Sequence, residues 1–209
     1  MVLSTKNLQF SYPNAHPMAF EDLSIDTLQH SLLLGDSGKG KTTLLNLLAG
    51  FSAPQSGKVY LKEQDLYQLQ GTALDHFRAK HIGFIFQEAH LLRNFTVLEN
   101  IKLAQSLANH AVDEHAIHTL LASLQMDQKA NSYPHEISRG QLQRAAIARA
   151  IINKPALLIA DEPTAALDDN NTQRVLDLLF SIASTYGSTL LIATHDKRIK
   201  TQFSHIYQL

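Results

Sequence analysis

The residue types that could do chemistry are concentrated in a glycine-rich run and an acidic pair. Gly35-Asp36-Ser37-Gly38-Lys39-Gly40-Lys41-Thr42 fits G-x-x-x-x-G-K-[ST], between an apolar stretch and leucines at helical spacing. Glycines let the backbone curl until consecutive N–H groups face phosphate oxygens, and the start of a helix adds positive potential. Lys41 is then placed to reach the β- and γ-phosphates of a nucleoside triphosphate. The Thr42 hydroxyl is a ligand for Mg2+, and Thr43 lies close enough to assist. Much later, the apolar run Ala156 to Ala160 ends in Asp161-Glu162. The carboxyl end of a buried strand is where a parallel sheet places its ligands. Asp161 can hold Mg2+ through water there, and Glu162 can orient and deprotonate an attacking water. Alone, such a pair would equally suit a helix cap or a solvated loop. The phosphate turn tips the reading towards a triphosphate site.

These groups need a scaffold, and the chain supplies one of alternating type. Leu3 to Tyr12, Ser31 to Leu34, Lys58 to Leu61 and Ile82 to Phe86 read as strands, with a helix after the phosphate turn and another within 66–80. From about residue 88 to 154 the pattern is helical, with Val97 to Leu107, Glu114 to Leu124 and Ser138 to Ile152 as the expected helices. Strand and helix then alternate again through Ala156 to Ala160, Asp169 to Ser184 and Thr189 to Ala193. The expected fold is α/β, a mainly parallel core sheet flanked by helices, with a small N-terminal antiparallel lobe and an inserted helical subdomain. One domain over 1–209 is expected, with 1–87 and 155–209 as catalytic core and 88–154 as the helical part.

Composition narrows the function classes. A hydrophobic share of 44% fills a core, and a net charge of −1 gives the whole chain no electrostatic pull on nucleic acid. With no cysteine, disulfide frameworks and thiolate metal sites are excluded. No apolar run approaches the roughly 20 residues that span a bilayer, so any membrane role needs a partner. His115 and His118 sit at i, i+3, but no carboxylate or cysteine framework surrounds them, and a solvated helix face accounts for them.

Ile137-Ser138-Arg139-Gly140-Gln141, continuing Leu142-Gln143-Arg144, resembles the LSGGQ signature of ATP-binding cassette proteins. Other landmarks of that family come in order: Tyr12 as the aromatic on adenine, Gln87 as the Q-loop, Ala165-Ala166-Leu167-Asp168 as the D-loop, and His195 in Thr194-His195-Asp196 as the switch histidine. Phe10 competes with Tyr12 for the base. Ser138 stands where a helix N-cap belongs, so its hydroxyl, the Gly140 N–H and the helix dipole can receive an anion.

The resemblance implies an ATPase. ATP is held by Tyr12 and by residues 35 to 43, with Gly35, Asp36, Ser37, Gly38, Lys39, Gly40, Lys41, Thr42 and Thr43 all in the turn. Ser138, Gly140, Gln141 and Asp168 act in trans, closing over the nucleotide of an opposite subunit. It also implies Mg2+ on Thr42, Gln87 and Asp161, and catalysis by Glu162, His195, Lys41 and Gln87. A homodimer or paired cassette, bound to a separate permease at the cytoplasmic face of the membrane, would follow, with no nucleic acid. The region 87–100 would receive the permease's coupling helix. Phe86-Gln87-Glu88, Leu91-Leu92 and Thr96 to Asn100 look most like the lipoprotein-release, macrolide-export and cell-division group. The alternatives are a soluble cassette ATPase of DNA repair or translation, and a nucleotide-dependent regulator that does not hydrolyse. Arg139 replaces the signature's first glycine, and would cost ~1–3 kcal/mol of strain if the backbone there suits only glycine. Lys39 replaces a usual serine. The stretch Phe20 to His30 is short, so a reduced β-lobe is expected.

Overall fold

A computed structural model describes residues 1–165 and 167–209. Strands β1 (Leu3–Phe10), β2 (Met18–Ala19), β3 (Ser24–Ile25) and β4 (Ser31–Leu34) precede helix α1 (Lys41–Leu48). After it come β5 (Ser56–Leu61), β6 (Gln64–Asp65), α2 (Thr72–His81) and β7 (Ile82–Ile85). Helices α3 (Val97–Leu107), α4 (Glu114–Ser123) and α5 (Arg139–Ile151) follow, then β8 (Leu157–Asp161), α6 (Asp169–Tyr186), β9 (Thr189–Thr194) and β10 (His205–Gln208).

Among the described residues, the strands form two sheets. One is parallel throughout, in the order β10-β4-β9-β8-β7. The other is antiparallel, in the order β2-β1-β5-β6 with β3 also on β1. The parallel strands β4, β8 and β9 are buried along their whole length, which is why they read as unbroken apolar runs. Their side chains nevertheless alternate between two cores, because successive residues of a strand point to opposite faces. Leu33, Leu157, Ile159, Leu191 and Ala193 pack with α1 and the antiparallel sheet. Leu32, Leu34, Leu158, Ala160, Leu190 and Ile192 pack against α3 to α6. Helix α1 is sandwiched between sheets, so Leu44, Leu45, Leu47 and Leu48 are all buried. Each such leucine contributes roughly 1.5–3 kcal/mol by leaving water.

The helix starts follow local chemistry. Thr96 and Glu99 form a reciprocal capping box on α3, as Ser138 and Gln141 do on α5. Asp113 and Asp168 cap α4 and α6, and Gly187 ends α6 in the left-handed conformation. Some boundaries differ from the sequence expectation. Strand β1 ends at Phe10, before a turn that contains Pro13, which has no N–H to donate to a ladder. The helix expected within 66–80 splits into a 3-10 turn over Leu66–Gln68 and α2, separated at Gly71. Between Phe20 and His30, the stretch read as short, the described residues form the two-residue strand β3.

Candidate functional site

All the candidate loops leave the parallel sheet at the carboxyl ends of its strands. The phosphate turn follows β4, Glu162 follows β8, His195 follows β9 and Gln87 lies just beyond β7. The ladder sets their depth: Leu34 pairs with Thr194, and Asp161 with Ala193. The ladder continues past the strand ends, with the Gly35 N–H donating to the Thr194 carbonyl at 3.2 Å and the Glu162 N–H to the Ala193 carbonyl at 2.8 Å. Residues far apart in sequence are thereby brought level.

Within the phosphate turn, Gly38 and Gly40 hold φ of 81° and 94°, values that side chains rarely adopt. Gly40 also precedes α1 without any side-chain cap, and the first turn of α1 carries no acidic residue. The N–H groups at that helix start are therefore left for a ligand, with the dipole favouring an anion. Lys41 is buried, and its ammonium donates to the carbonyls of Gly35 at 2.8 Å and Asp36 at 3.2 Å. It also pairs with Glu162 Oε1 at 3.2 Å.

The two acids occupy different environments. Asp161 Oδ2 accepts from the Thr42 hydroxyl at 3.0 Å, while its buried Oδ1 has no hydrogen-bond partner among the described residues. Burial is the main influence on this carboxyl and pushes its pKa up, against the Thr42 bond and the Lys41 charge. Glu162 is held in the left-handed region at φ 48°, a conformation that costs an ordinary residue ~1–3 kcal/mol. Burial pushes the Glu162 carboxyl up as well. Hydrogen bonds from His195, Thr194 and Lys41 outweigh it and keep its pKa below the usual carboxylate value. The His195 Nδ1 lies 3.0 Å from both Glu162 oxygens, and the Thr194 hydroxyl donates to Oε2 at 2.8 Å. The result is an ionised, oriented carboxylate between the Lys41 ammonium and the His195 imidazole.

Other expected residues lie around this centre. Tyr12 is half exposed above α1, shares a 3.1 Å hydrogen bond with the Thr43 hydroxyl, and meets Phe10 edge-on at 4.9 Å. Thr42 reaches Asp161, whereas Thr43 is engaged by Tyr12. Gln87 is exposed at the edge of a cleft of about 780 Å³, which Glu88, Arg139, Gln143 and Glu162 also line. Thr42 contacts Asp161, and Glu162 contacts both Lys41 and His195; among the described residues Gln87 has no side-chain hydrogen bond to any of them.

Ser138, Arg139 and Gly140 are exposed at the start of α5. A Cβ on Gly140 would meet nothing within 4 Å, so its own chain does not require a glycine there. Arg139 lies within the regular helix and outside the positive-φ residues, so the strain considered for it does not arise. Asp168 Oδ1 caps α6 by accepting from the Asn171 N–H at 2.8 Å. The D-loop residue Ala166 lies outside the described residues. Among the described residues, no group of three or more His, Cys, Asp or Glu could hold a metal, and His118 pairs with Asp127 at 2.7 Å.

Sequence reasoning missed several residues that steady these loops. Arg149 donates to the carbonyls of Ala89 and His90, and Gln143 to that of Pro163 at 2.8 Å. Both are polar positions on a helix that is otherwise rich in buried alanine and isoleucine, the one local hint of their role. Thr194 was legible only as part of the histidine's context.

The ABC transporter family matches over residues 21–165 of the chain. This chain belongs to the ABC transporter family. It is the ATP-hydrolysing subunit of such a transporter, with the α/β cassette fold that the family implies. It is 43% identical over 179 residues to the lipoprotein-releasing system ATP-binding protein LolD of Treponema pallidum, covering 85% of this chain and 79% of that one. It is 40% identical over 190 residues to the ABC transporter ATP-binding protein YxdL of Bacillus subtilis, covering 90% and 73%. The cassette MJ0796, solved as a dimer in a post-hydrolysis state bound to ADP and Pi, superposes with a TM-score of 0.88 at 29% identity, over 99% of this chain and 94% of that one. No described helix of this ABC subunit is long and apolar enough to cross a membrane.

Proposed function

We propose that this subunit hydrolyses Mg-ATP in a head-to-tail pair of cassettes and drives a separate permease of the lipoprotein-releasing type. The observation that carries the reading is the meeting of Lys41, Asp161, Glu162 and His195 at adjacent carboxyl ends of parallel strands. Glu162, already ionised, accepts a proton from the attacking water, and His195 orients the carboxylate. Lys41 leaves its carbonyl partners for the β- and γ-phosphates, so catalysis is chiefly positioning and charge stabilisation.

The residues present fit Mg2+. The Asp161 Oδ1, without a partner among the described residues, is a buried acceptor in want of a cation, and the Thr42 hydroxyl bonds the other oxygen of that carboxylate. When bound, the ion would neutralise charge between the β- and γ-phosphates. Thr42 and Asp161 would hold it, with Gln87 joining from the cleft.

The exposed start of α5, with Ser138 as cap and an open Gly140, supports closure over the partner's nucleotide, and residues 88–154 would act as the subdomain that carries it. The dimeric state of MJ0796 and its bound ADP and Pi support the same arrangement. For the permease, an apolar groove of about 700 Å³ is the better-defined dock. It takes in Phe51, Phe84, Phe86, Leu92 and Leu107, of which Phe51, Leu92 and Leu107 are 44%, 46% and 56% exposed. A peripheral position at the cytoplasmic membrane face would follow from that contact. The 43% identity to a lipoprotein-releasing subunit supports the type of permease.

The test is steady-state ATP turnover of the wild type beside Glu162→Gln, together with gel filtration of Glu162→Gln with and without ATP. Turnover by the wild type alone and an ATP-dependent dimer are expected. Equal turnover by both proteins would remove the mechanism.

A further inference from the structure

We propose that Arg198 is a positioning residue for ATP hydrolysis, locking the turn that carries His195 to the segment that follows Glu162. The inference rests on the ATPase reading above but concerns a residue that the reading does not use. The guanidinium sits between two loops. Its Nε lies 2.9 and 3.1 Å from the two carboxylate oxygens of Asp196, and its Nη2 donates to Asp196 Oδ2 at 2.7 Å. The same Nη2 donates to the Leu167 carbonyl at 3.4 Å, and Nη1 pairs with Asp169 at the first turn of α6.

Asp196 is only 12% exposed and is the residue next to His195, so the fork is anchored on the His195 turn, while its arm to the exposed Asp169 runs across the surface. From Asp196 the contacts run on into the site. Its N–H donates to the Thr194 hydroxyl at 3.0 Å, and that hydroxyl donates to Glu162 Oε2 at 2.8 Å. Arg198 thus fastens both chain segments that flank the catalytic carboxylate, the one after β9 and the one after Glu162. A planar guanidinium presents separate nitrogens in fixed directions to the acid, the carbonyl and Asp169, whereas an ammonium has its three donors on one nitrogen. The lock holds the His195–Glu162 geometry through the turnover step and does not touch the nucleotide, so it acts on kcat rather than on binding.

The experiment is steady-state ATPase kinetics of the full chain with Arg198→Ala, Arg198→Lys, Asp169→Asn and the Arg198→Ala/Asp169→Asn pair, with thermal melting of each. Arg198→Ala is expected to lower kcat roughly tenfold with KM for ATP little changed, since small misplacements of catalytic groups cost rate. Arg198→Lys should recover only part of that loss. Asp169→Asn should lower kcat in the same direction, and the pair should be no slower than Arg198→Ala, because both cut one link. Should Arg198→Ala not fold, Asp169→Asn decides alone, as it leaves the Asp196 fork in place. Wild-type kcat in Asp169→Asn together with Arg198→Ala, or a parallel loss of kcat, KM and melting temperature, would overturn the proposal. Equal turnover by the wild type and Glu162→Gln would instead strike the underlying mechanism, so the two failures are separable.

Discussion

The Thr42 hydroxyl donates to Asp161 Oδ2 across 3.0 Å, although 119 positions separate the two residues. That bond ties the start of α1 to the end of β8 and leaves the second Asp161 oxygen buried without a partner among the described residues. A carboxylate in this position fits the cation-binding role proposed for it. Burial raises its pKa, which means the folded state favours its protonated form and bears a cost for its charge at neutral pH.

Asp161→Asn should therefore separate stability from activity. The nucleotide-free variant is expected to melt at or above the wild-type temperature, because a neutral group of the same shape replaces a disfavoured charge. Its Mg-dependent turnover should fall by about 10²-fold or more, as for loss of an electrostatic catalytic group. Calorimetry paired with an Mg2+ titration of ATPase activity checks both, and a lowered melting temperature would contradict the account.

Glu162→Gln should retain ATP binding and lose about 10²–10⁴-fold in kcat, the usual contribution of a general base. The pH profile carries a sharper expectation. Because the bonds from His195, Thr194 and Lys41 outweigh burial and keep the Glu162 pKa low, the acid limb of kcat/KM should lie below the ordinary carboxylate value. His195→Ala removes a donor to the ionised form, so the limb should move to higher pH; no movement would detach His195 from the carboxylate.

His30 predicts a pH-dependent stability. Burial lowers its pKa, and its Nδ1 accepts the Leu190 N–H at 3.1 Å, a bond that only the unprotonated nitrogen can take. The unfolded chain, with its histidine near the ordinary value of about 6.5, binds the proton more readily. The contribution of His30 is thus complete above that value and is lost as pH falls from there through the lower folded pKa. Urea unfolding across this window should show a steeper acid-side loss for the wild type than for His30→Gln.

Asn100 is buried within α3; its side-chain oxygen accepts the Leu92 N–H, and its two amide hydrogens are shared among the carbonyls of Leu92, Phe95 and Thr96. Asn100→Ala would orphan a buried part of the loop before α3, costing about 1–3 kcal/mol. At roughly 2–4 °C per kcal/mol for a chain of this size, the melting temperature should drop by several degrees. An unchanged melting curve would mean that water replaces the side chain there.

The helices whose ends carry their own chemistry were legible from the sequence, and α3 was expected over the very residues it occupies, because Thr96 and Glu99 cap it locally. The parallel strands were legible because burial on both faces leaves unbroken apolar runs. The misjudged boundary at β1 has a local cause in Pro13, and the break between Leu66–Gln68 and α2 has one in Gly71. The groove around Phe51 was half hidden, since the region 87–100 supplies one wall and α2, β7, the rest of α3, α5 and the residues just after α1 supply others.

By itself the sequence determined the class of chemistry. A phosphate turn, an apolar strand closing on Asp161-Glu162 and a capped Ser138 helix are contiguous patterns whose meaning depends on neighbours along the chain. Tertiary structure alone decided which groups share a proton or a cation: Lys41 with Glu162, His195 with Glu162, Thr42 with Asp161, Thr43 with Tyr12, Arg198 with Leu167 and Asp169. Those pairings depend on the register of a parallel ladder and on loops that leave its edge, and register is a long-range property that no local run of residues encodes. The same distinction settles Arg139. Its departure from the signature is plain in the sequence, but only the helical backbone at that position shows that an arginine fits there without strain.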